Sequence, residues 1–286
     1  MSARKQHLPW WKEWWRFFRP LVVIYFIVLA VVFIAQRSMM YHPPDEALPK
    51  PAAVGLDMMQ TVIVSTPDGY NLKAWFAQPK GDLPVVVVFH GNAGSIAIRK
   101  PIATTMLDEG YGVFLMEYRG YAGNPGSPTE EGFYNDGRGA VAWLKEKGYD
   151  PDRLALYGES LGSGVAVQLA TEIRPKYLIV HSGFNSAVDV ALRTYSMLPA
   201  RLLMKDRYDN KSKIGQVKSD LLVIHGDKDT MIPLSFAQDL FDAANEPKTF
   251  VTIKNAGHNS LYNLGAGKMV TSWLNARAKK EEAGDE

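Results

Sequence analysis

A serine hydroxyl is close to inert at neutral pH and attacks a carbonyl only when a nearby base removes its proton. Ser160 stands in Gly158-Glu159-Ser160-Leu161-Gly162, with strand-forming residues 154–157 before it and an amphipathic run to about Ile173 behind it. A G-x-S-x-G pattern between a strand and a helix is the sharp turn that lifts a serine clear of the backbone with its hydroxyl exposed. The glycines on either side are needed because a Cβ there meets the neighbouring strand or helix. The pattern alone arises by chance in ordinary chains, so its weight depends on its company.

That company is a set of polar clusters, each placed just after a predicted strand. His90-Gly91-Asn92-Ala93-Gly94 follows 85–89, His225-Gly226-Asp227-Lys228-Asp229 follows 221–224, and Gly257-His258-Asn259 follows 250–253. His258 is the expected base, because an imidazole titrates near neutrality and can return the proton to a leaving group. Asp229 is the expected carboxylate that orients it, with Asp227 as the alternative. The backbone N–H groups of Asn92 and Leu161 are expected to face the negative oxygen of a tetrahedral intermediate. His90 and His225 are expected to anchor turns, and His181, at the end of strand 177–180, has a smaller claim on the site.

The elements that must position these residues alternate. Runs 61–66 and 72–76 flank Pro67-Asp68-Gly69 and predict a hairpin. After it, short continuous apolar runs at 85–89, 113–116, 154–157, 177–180, 221–224 and 250–253 alternate with amphipathic helical stretches. Ser127-Pro128-Thr129-Glu130 predicts the start of one such helix, with proline at its first position. The pattern is α/β: an open, mostly parallel sheet with helices on both faces, whose ligands bind beyond the carboxyl ends of the strands.

The chain has 286 residues, 47% of them apolar, enough for one sizeable core. Its net charge of +2 is concentrated before residue 20, where Arg4, Lys5, Lys12, Arg16 and Arg19 face only Glu13. No basic stripe remains to suggest nucleic acid. The absence of cysteine excludes disulfides, thiolate metal sites and a thiol nucleophile, and fits an oxidising compartment. No metal or nucleotide motif is present, so no cofactor is expected.

Ahead of the domain, residues 21–36 form an apolar run that predicts a transmembrane signal anchor, with a cleaved signal peptide and a buried core helix as alternatives. Trp10, Trp11, Trp14 and Trp15, in the basic arm 1–20, suit an interfacial belt. The positive residues before the run predict a cytoplasmic N-terminus and a translocated domain, periplasmic or lumenal. Residues 37–58, with four prolines, read as a tether, 59–278 as the domain, and 279–286 as a charged tail. Within the domain, 184–217 breaks the strand–helix alternation and is rich in leucine and methionine. It is expected to form a small cap with Leu202, Leu203 and Met204 against the substrate, too short to enclose more than a shallow, open site.

Together with Tyr118-Arg119-Gly120-Tyr121, the motifs at 90–94, 158–162 and 225–229 resemble the α/β-hydrolase superfamily. Within it they resemble the Bem46-like branch, which includes membrane-associated depalmitoylases of the ABHD17 type. The similarity spans about residues 60–273 in the family's order. It implies the α/β-hydrolase fold, Ser160 as nucleophile, Asp229 as acid, His258 as base, and Asn92 and Leu161 as oxyanion donors. Those depalmitoylases carry a cysteine-rich lipidated N-terminus where this chain has a hydrophobic span. The expected activity is cleavage of ester or thioester bonds in lipid-like acyl substrates. A serine peptidase of the prolyl-oligopeptidase type and a non-catalytic membrane scaffold are the alternatives.

Overall fold

The computed structural model describes residues 10–282 and 284; the expectations for the basic arm before Trp10 and for the last residues of the tail lie outside them. The chain opens with α1 (Trp10–Met40), a single helix that runs past the predicted span at both ends. Its segment Trp14–Met40, 27 residues, is long and apolar enough to cross a membrane. At 1.5 Å per residue it measures about 40 Å, so the apparent shortness of the 21–36 run disappears once its flanking turns are counted.

The domain begins with the predicted hairpin, β1 (Gln60–Ser65) and β2 (Asn71–Ala77). It continues through β3 (Val85–Phe89), α2 (Lys100–Asp108), β4 (Gly112–Met116), α3 (Glu130–Glu146), β5 (Leu154–Glu159), α4 (Gly162–Ile173) and β6 (Tyr177–His181). Three short helices, α5 (Ala187–Thr194), α6 (Ala200–Leu203) and α7 (Asn210–Ile214), separate these from β7 (Asp220–Gly226), α8 (Leu234–Asp242), β8 (Lys248–Ile253) and α9 (Ala266–Glu282).

The eight strands form one sheet in the order β1-β2-β4-β3-β5-β6-β7-β8. β2 runs antiparallel to both of its neighbours, and every pair beyond β4 is parallel. Each central strand is buried on both faces. On β3, Val85, Val87 and Phe89 enter the core under α3 and α4, while Val86 and Val88 enter the core under α2 and α9. This is why these strands read as unbroken apolar runs. The chain leaves β3 toward β4 on one side and returns to β5 on the other. The strand order therefore reverses at β3/β5, the crevice where open α/β sheets bind ligands.

Two sequence expectations need correction. α3 starts at Glu130: Thr129 is its N-cap, with Oγ1 accepting from Gly132 N–H, and Pro128 falls outside the helix. The 37–58 segment is not a tether. Residues 37–40 continue α1, and the rest is sewn to the domain by backbone bonds from His42 to Asn92 and from Leu48 to Ala122. Tyr41, Leu56 and Met59 are buried, and the Tyr41 hydroxyl meets that of Tyr208 at 2.9 Å. Beyond α1 this stretch forms only one short 3₁₀ turn, Pro51–Val54, but its apolar side chains still reach the core.

Candidate active site

Ser160 sits on a backbone with φ of 51°, the left-handed region that costs a non-glycine residue strain. Surrounding bonds hold it there. Its N–H donates to the His181 carbonyl at 2.8 Å, and its own carbonyl accepts from Ser163 N–H and Ser163 Oγ. The two motif glycines allow the turn to close. A Cβ on Gly158 would lie 2.5 Å from Ser163 Cα, and one on Gly162 would overlap the Phe89 carbonyl.

The loops after β7 and β8 bring their residues to this serine. His258 Nε2 lies 2.9 Å from Ser160 Oγ, and His258 Nδ1 lies 2.7 Å from Asp229 Oδ2. With a carboxylate facing Nδ1, that nitrogen carries the proton and Nε2 is left to accept the serine O–H. The other oxygen, Asp229 Oδ1, accepts from the Met231 and Ile232 N–H groups at 2.9 and 2.8 Å. Burial pushes the Asp229 carboxyl up, but these hydrogen bonds and the two nearby imidazoles outweigh it and hold the group below the usual carboxylate range. Asp227 shapes the turn instead: its Oδ1 accepts from Asn255 N–H.

The three other buried histidines among the described residues are structural. His225, fully buried, donates Nε2–H to the Ile232 carbonyl at 2.9 Å and backs Asp229. His90 is wedged between the Gly91 carbonyl and Glu117, whose second oxygen accepts from Ile96 N–H. His181 shares a 2.7 Å hydrogen bond with the Tyr157 hydroxyl, and burial pulls its imidazole down to about 4. It meets Ser160 only through its carbonyl. Glu159, inside the turn, pairs with Arg99 at 2.8 Å, and Arg99 in turn donates to the Ala93 and Ser95 carbonyls that carry the loop after β3.

Asn92 and Leu161 both line a cavity of about 430 Å³ that reaches Ser160. Asn92 is fixed from three sides: its carbonyl accepts from His42 N–H and the Tyr121 hydroxyl, and its side-chain amide donates to the Met40 carbonyl. Leu161 opens α4, so its N–H lies at the positive end of a twelve-residue helix. Among the described residues no cluster of three or more His, Cys, Asp or Glu side chains is suited to hold a metal ion.

The cavity differs from the expected shallow site, because the cap is only one of its walls. Leu203 and Met204 line it together with Tyr195 and Leu198. Leu202 does not: it is 84% exposed and points away. The opposite wall is α1 itself, through Val32, Phe33, Gln36, Met39 and Met40. The one sequence signal for this was Gln36, an amide at the end of an apolar run, which polar groups within spans often mark as functional. It donates to the Leu203 carbonyl and accepts from Lys205 N–H, while Arg37 forms a bidentate pair with buried Asp206 at 2.7 and 3.2 Å.

Comparison with known proteins places these features. The family model for serine aminopeptidase, S33, matches residues 82–205. An uncharacterized protein of Mycobacterium tuberculosis is 38% identical over 235 residues, covering 81% of this chain and 83% of its own. The human alpha/beta hydrolase domain-containing protein 17B is 27% identical over 216 residues, 73% of this chain and 72% of its own. Among solved structures, an esterase of Pyrococcus furiosus superposes with a TM-score of 0.66 at 20% identity, covering 83% of this chain and 98% of that one.

Proposed function

The chain belongs to the α/β-hydrolase superfamily, and from that premise we propose that it is a membrane-anchored serine hydrolase acting on lipid-like acyl esters or thioesters through Ser160, His258 and Asp229. The observation that carries this is the unbroken hydrogen-bond chain from Asp229 through His258 to Ser160, opening on an apolar cavity.

In the proposed reaction, Ser160 Oγ attacks the acyl carbon as His258 Nε2 takes its proton. The carbonyl oxygen becomes an oxyanion, held by the N–H groups of Asn92 and Leu161. Collapse expels the alcohol or thiol, which leaves with the proton from His258. Water, activated by the same imidazole, then attacks the acyl-Ser160 ester and releases the acid. Asp229, kept ionised by its backbone donors, stabilises the imidazolium formed in each half.

The lining favours an acyl chain over a peptide. An aminopeptidase must hold a substrate ammonium, and Asp206, the only acidic residue among those lining the cavity, is already bound to Arg37. Along an apolar groove each methylene contributes up to roughly 0.8 kcal/mol. A fluorophosphonate should label Ser160 alone, and a series of p-nitrophenyl esters should show kcat/KM rising with chain length while aminoacyl amides remain poor substrates. Labelling elsewhere, or a preference for aminoacyl amides, overturns the proposal. The basic arm before residue 20 supports a cytoplasmic N-terminus with the hydrolase on the translocated side. A C-terminal reporter active only outside the cytoplasm tests that orientation.

A further inference from the structure

The wall that α1 gives to the cavity belongs to the segment that is long and apolar enough to cross a membrane. Val32, Phe33, Gln36, Met39 and Met40 all lie within Trp14–Met40. A cavity that ended at the membrane surface would not be lined by residues about two turns back along the span.

The cap follows the helix in the same direction. Its contacts with α1 run from Asp206 at Arg37, through Leu203 and Lys205 at Gln36 and Phe33, to Met197, whose carbonyl accepts from the Tyr25 hydroxyl at 3.1 Å. Tyr25 lies about 18 Å further down the helix than Arg37 at 1.5 Å per residue, near the middle of the span. The stretch from Met197 to Asp206 therefore runs beside α1 for about half of its apolar span. At the end of that descent Met197 is 85% exposed, and the neighbouring Leu202 is 84% exposed. Phe33, Met39, Tyr195 and Met231, which line the cavity, are also exposed. In water this would be a contiguous apolar patch of the kind soluble proteins avoid. Around it stand exposed Arg193, Arg201, Lys205 and Arg207, cations of the sort that meet anionic headgroups at a bilayer surface.

Resting on the esterase reading above, we infer that the cap tip around Met197 and Leu202 is sunk in the leaflet crossed by the C-terminal half of α1, and that the cavity opens sideways into the bilayer. The substrate is a long-chain acyl ester resident in the membrane. Its acyl chain enters between α1 and the α5–α6 segment and lies along Val32, Phe33 and Gln36, while the ester reaches Ser160. α1 is then part of the specificity pocket as well as an anchor.

The test exploits the absence of cysteine. The full chain carrying Met197→Cys is labelled with an environment-sensitive nitrobenzoxadiazole and reconstituted in vesicles of phosphatidylcholine and phosphatidylglycerol. Asp82→Cys, at the opposite end of the sheet from the site, serves as the control. A blue-shifted emission at 197, quenched by lipids bearing a nitroxide on the acyl chain and not by aqueous iodide, supports the inference, with the reverse pattern at 82. Water-like emission at 197 overturns it. Blue-shifted emission that acyl-chain nitroxides fail to quench means a second protein copy covers the tip, and overturns it as well. In parallel, Val32→Trp should lower the ratio of long- to short-chain ester kcat/KM by about tenfold, the discrimination expected when an apolar pocket loses room for a methylene or two. An unchanged ratio overturns the role of α1 in the groove. A lipid-buried label on a chain that hydrolyses no ester supports the membrane placement and overturns the function proposed above.

Discussion

The two sides of the cavity are held together by different forces. On one side, Ser160, His258, Asp229 and Asn92 hang from loops at the ends of the buried central strands, Ser160, Asp229 and Asn92 fixed by hydrogen bonds to backbone groups and His258 by the Asp229 and Ser160 side chains. On the other, α1 and the α5–α6 segment face each other with apolar side chains, many of them exposed. Their few polar links are Gln36 to Leu203 and Lys205, Arg37 to Asp206, and Tyr25 to Met197. Hydrogen bonds are directional and fix atoms to a fraction of an ångström, which bond-making chemistry requires. Apolar contact is non-directional and tolerates substrates of differing length. In the proposed enzyme, reaction and selectivity thus fall to separate parts of the molecule, and the two should respond to mutation separately.

The largest expected effect tests the polar side. Ser160→Ala and His258→Ala should each lower kcat on the order of 10⁴–10⁶-fold on short and long esters alike, because the members act as a unit. Asp229→Asn should cost on the order of 10³–10⁴-fold, again without regard to chain length. If Asp227→Asn does this and Asp229→Asn does not, the acid is misassigned.

Acid should weaken the polar side next. His181 is held neutral, its imidazole pulled from 6.5 to about 4 by burial. Between those values the unfolded chain binds a proton that the folded chain does not, so stability falls as pH drops from about 6.5 to about 4, by roughly 3 kcal/mol. Thermal melts across that range should show the fall, and His181→Asn should flatten it. A midpoint that is level from pH 7 to pH 4 contradicts the assignment.

The smallest effect separates the two sides most sharply. Leu203→Ser should reduce the long-chain advantage about tenfold and leave acetyl-ester turnover nearly intact. Leu202→Ser, one residue away and outside the cavity, should change soluble-ester turnover by less than about twofold. Equal losses on both esters from Leu203→Ser would mean that the segment only supports the fold.

The same division explains what could be read from the sequence. The sheet was legible because a strand buried on both faces leaves an unbroken apolar run, and because a chemical turn such as 158–162 admits few residues. Ser160, His258 and Asp229 were legible because they follow such runs at once. The α1 wall was not. A helix that is apolar all round carries no periodic mark of which face meets protein, so Val32 and Met40 look no different from their neighbours. The 41–58 stretch was misjudged for a related reason, since an extended segment that packs by scattered contacts at Tyr41, Leu48 and Leu56 has no period at all. Leu202 and Leu203 were indistinguishable for want of a one-residue register, which only the three-dimensional structure of the short helix α6 supplies.

For the membrane-anchored hydrolase proposed above, the clamp between Arg37 and Asp206, reinforced by Asn92 on the Met40 carbonyl, has a kinetic corollary. A domain on a slack leash sweeps a hemisphere above its attachment point. One bolted to its stalk has lost that freedom and keeps only rotation and drift in the plane. For such an enzyme the relevant concentration is the number of substrate molecules per unit area of its own leaflet. Turnover should then saturate with the mole fraction of substrate in the lipid, fall when inert lipid dilutes the surface, and ignore the volume of the surrounding water.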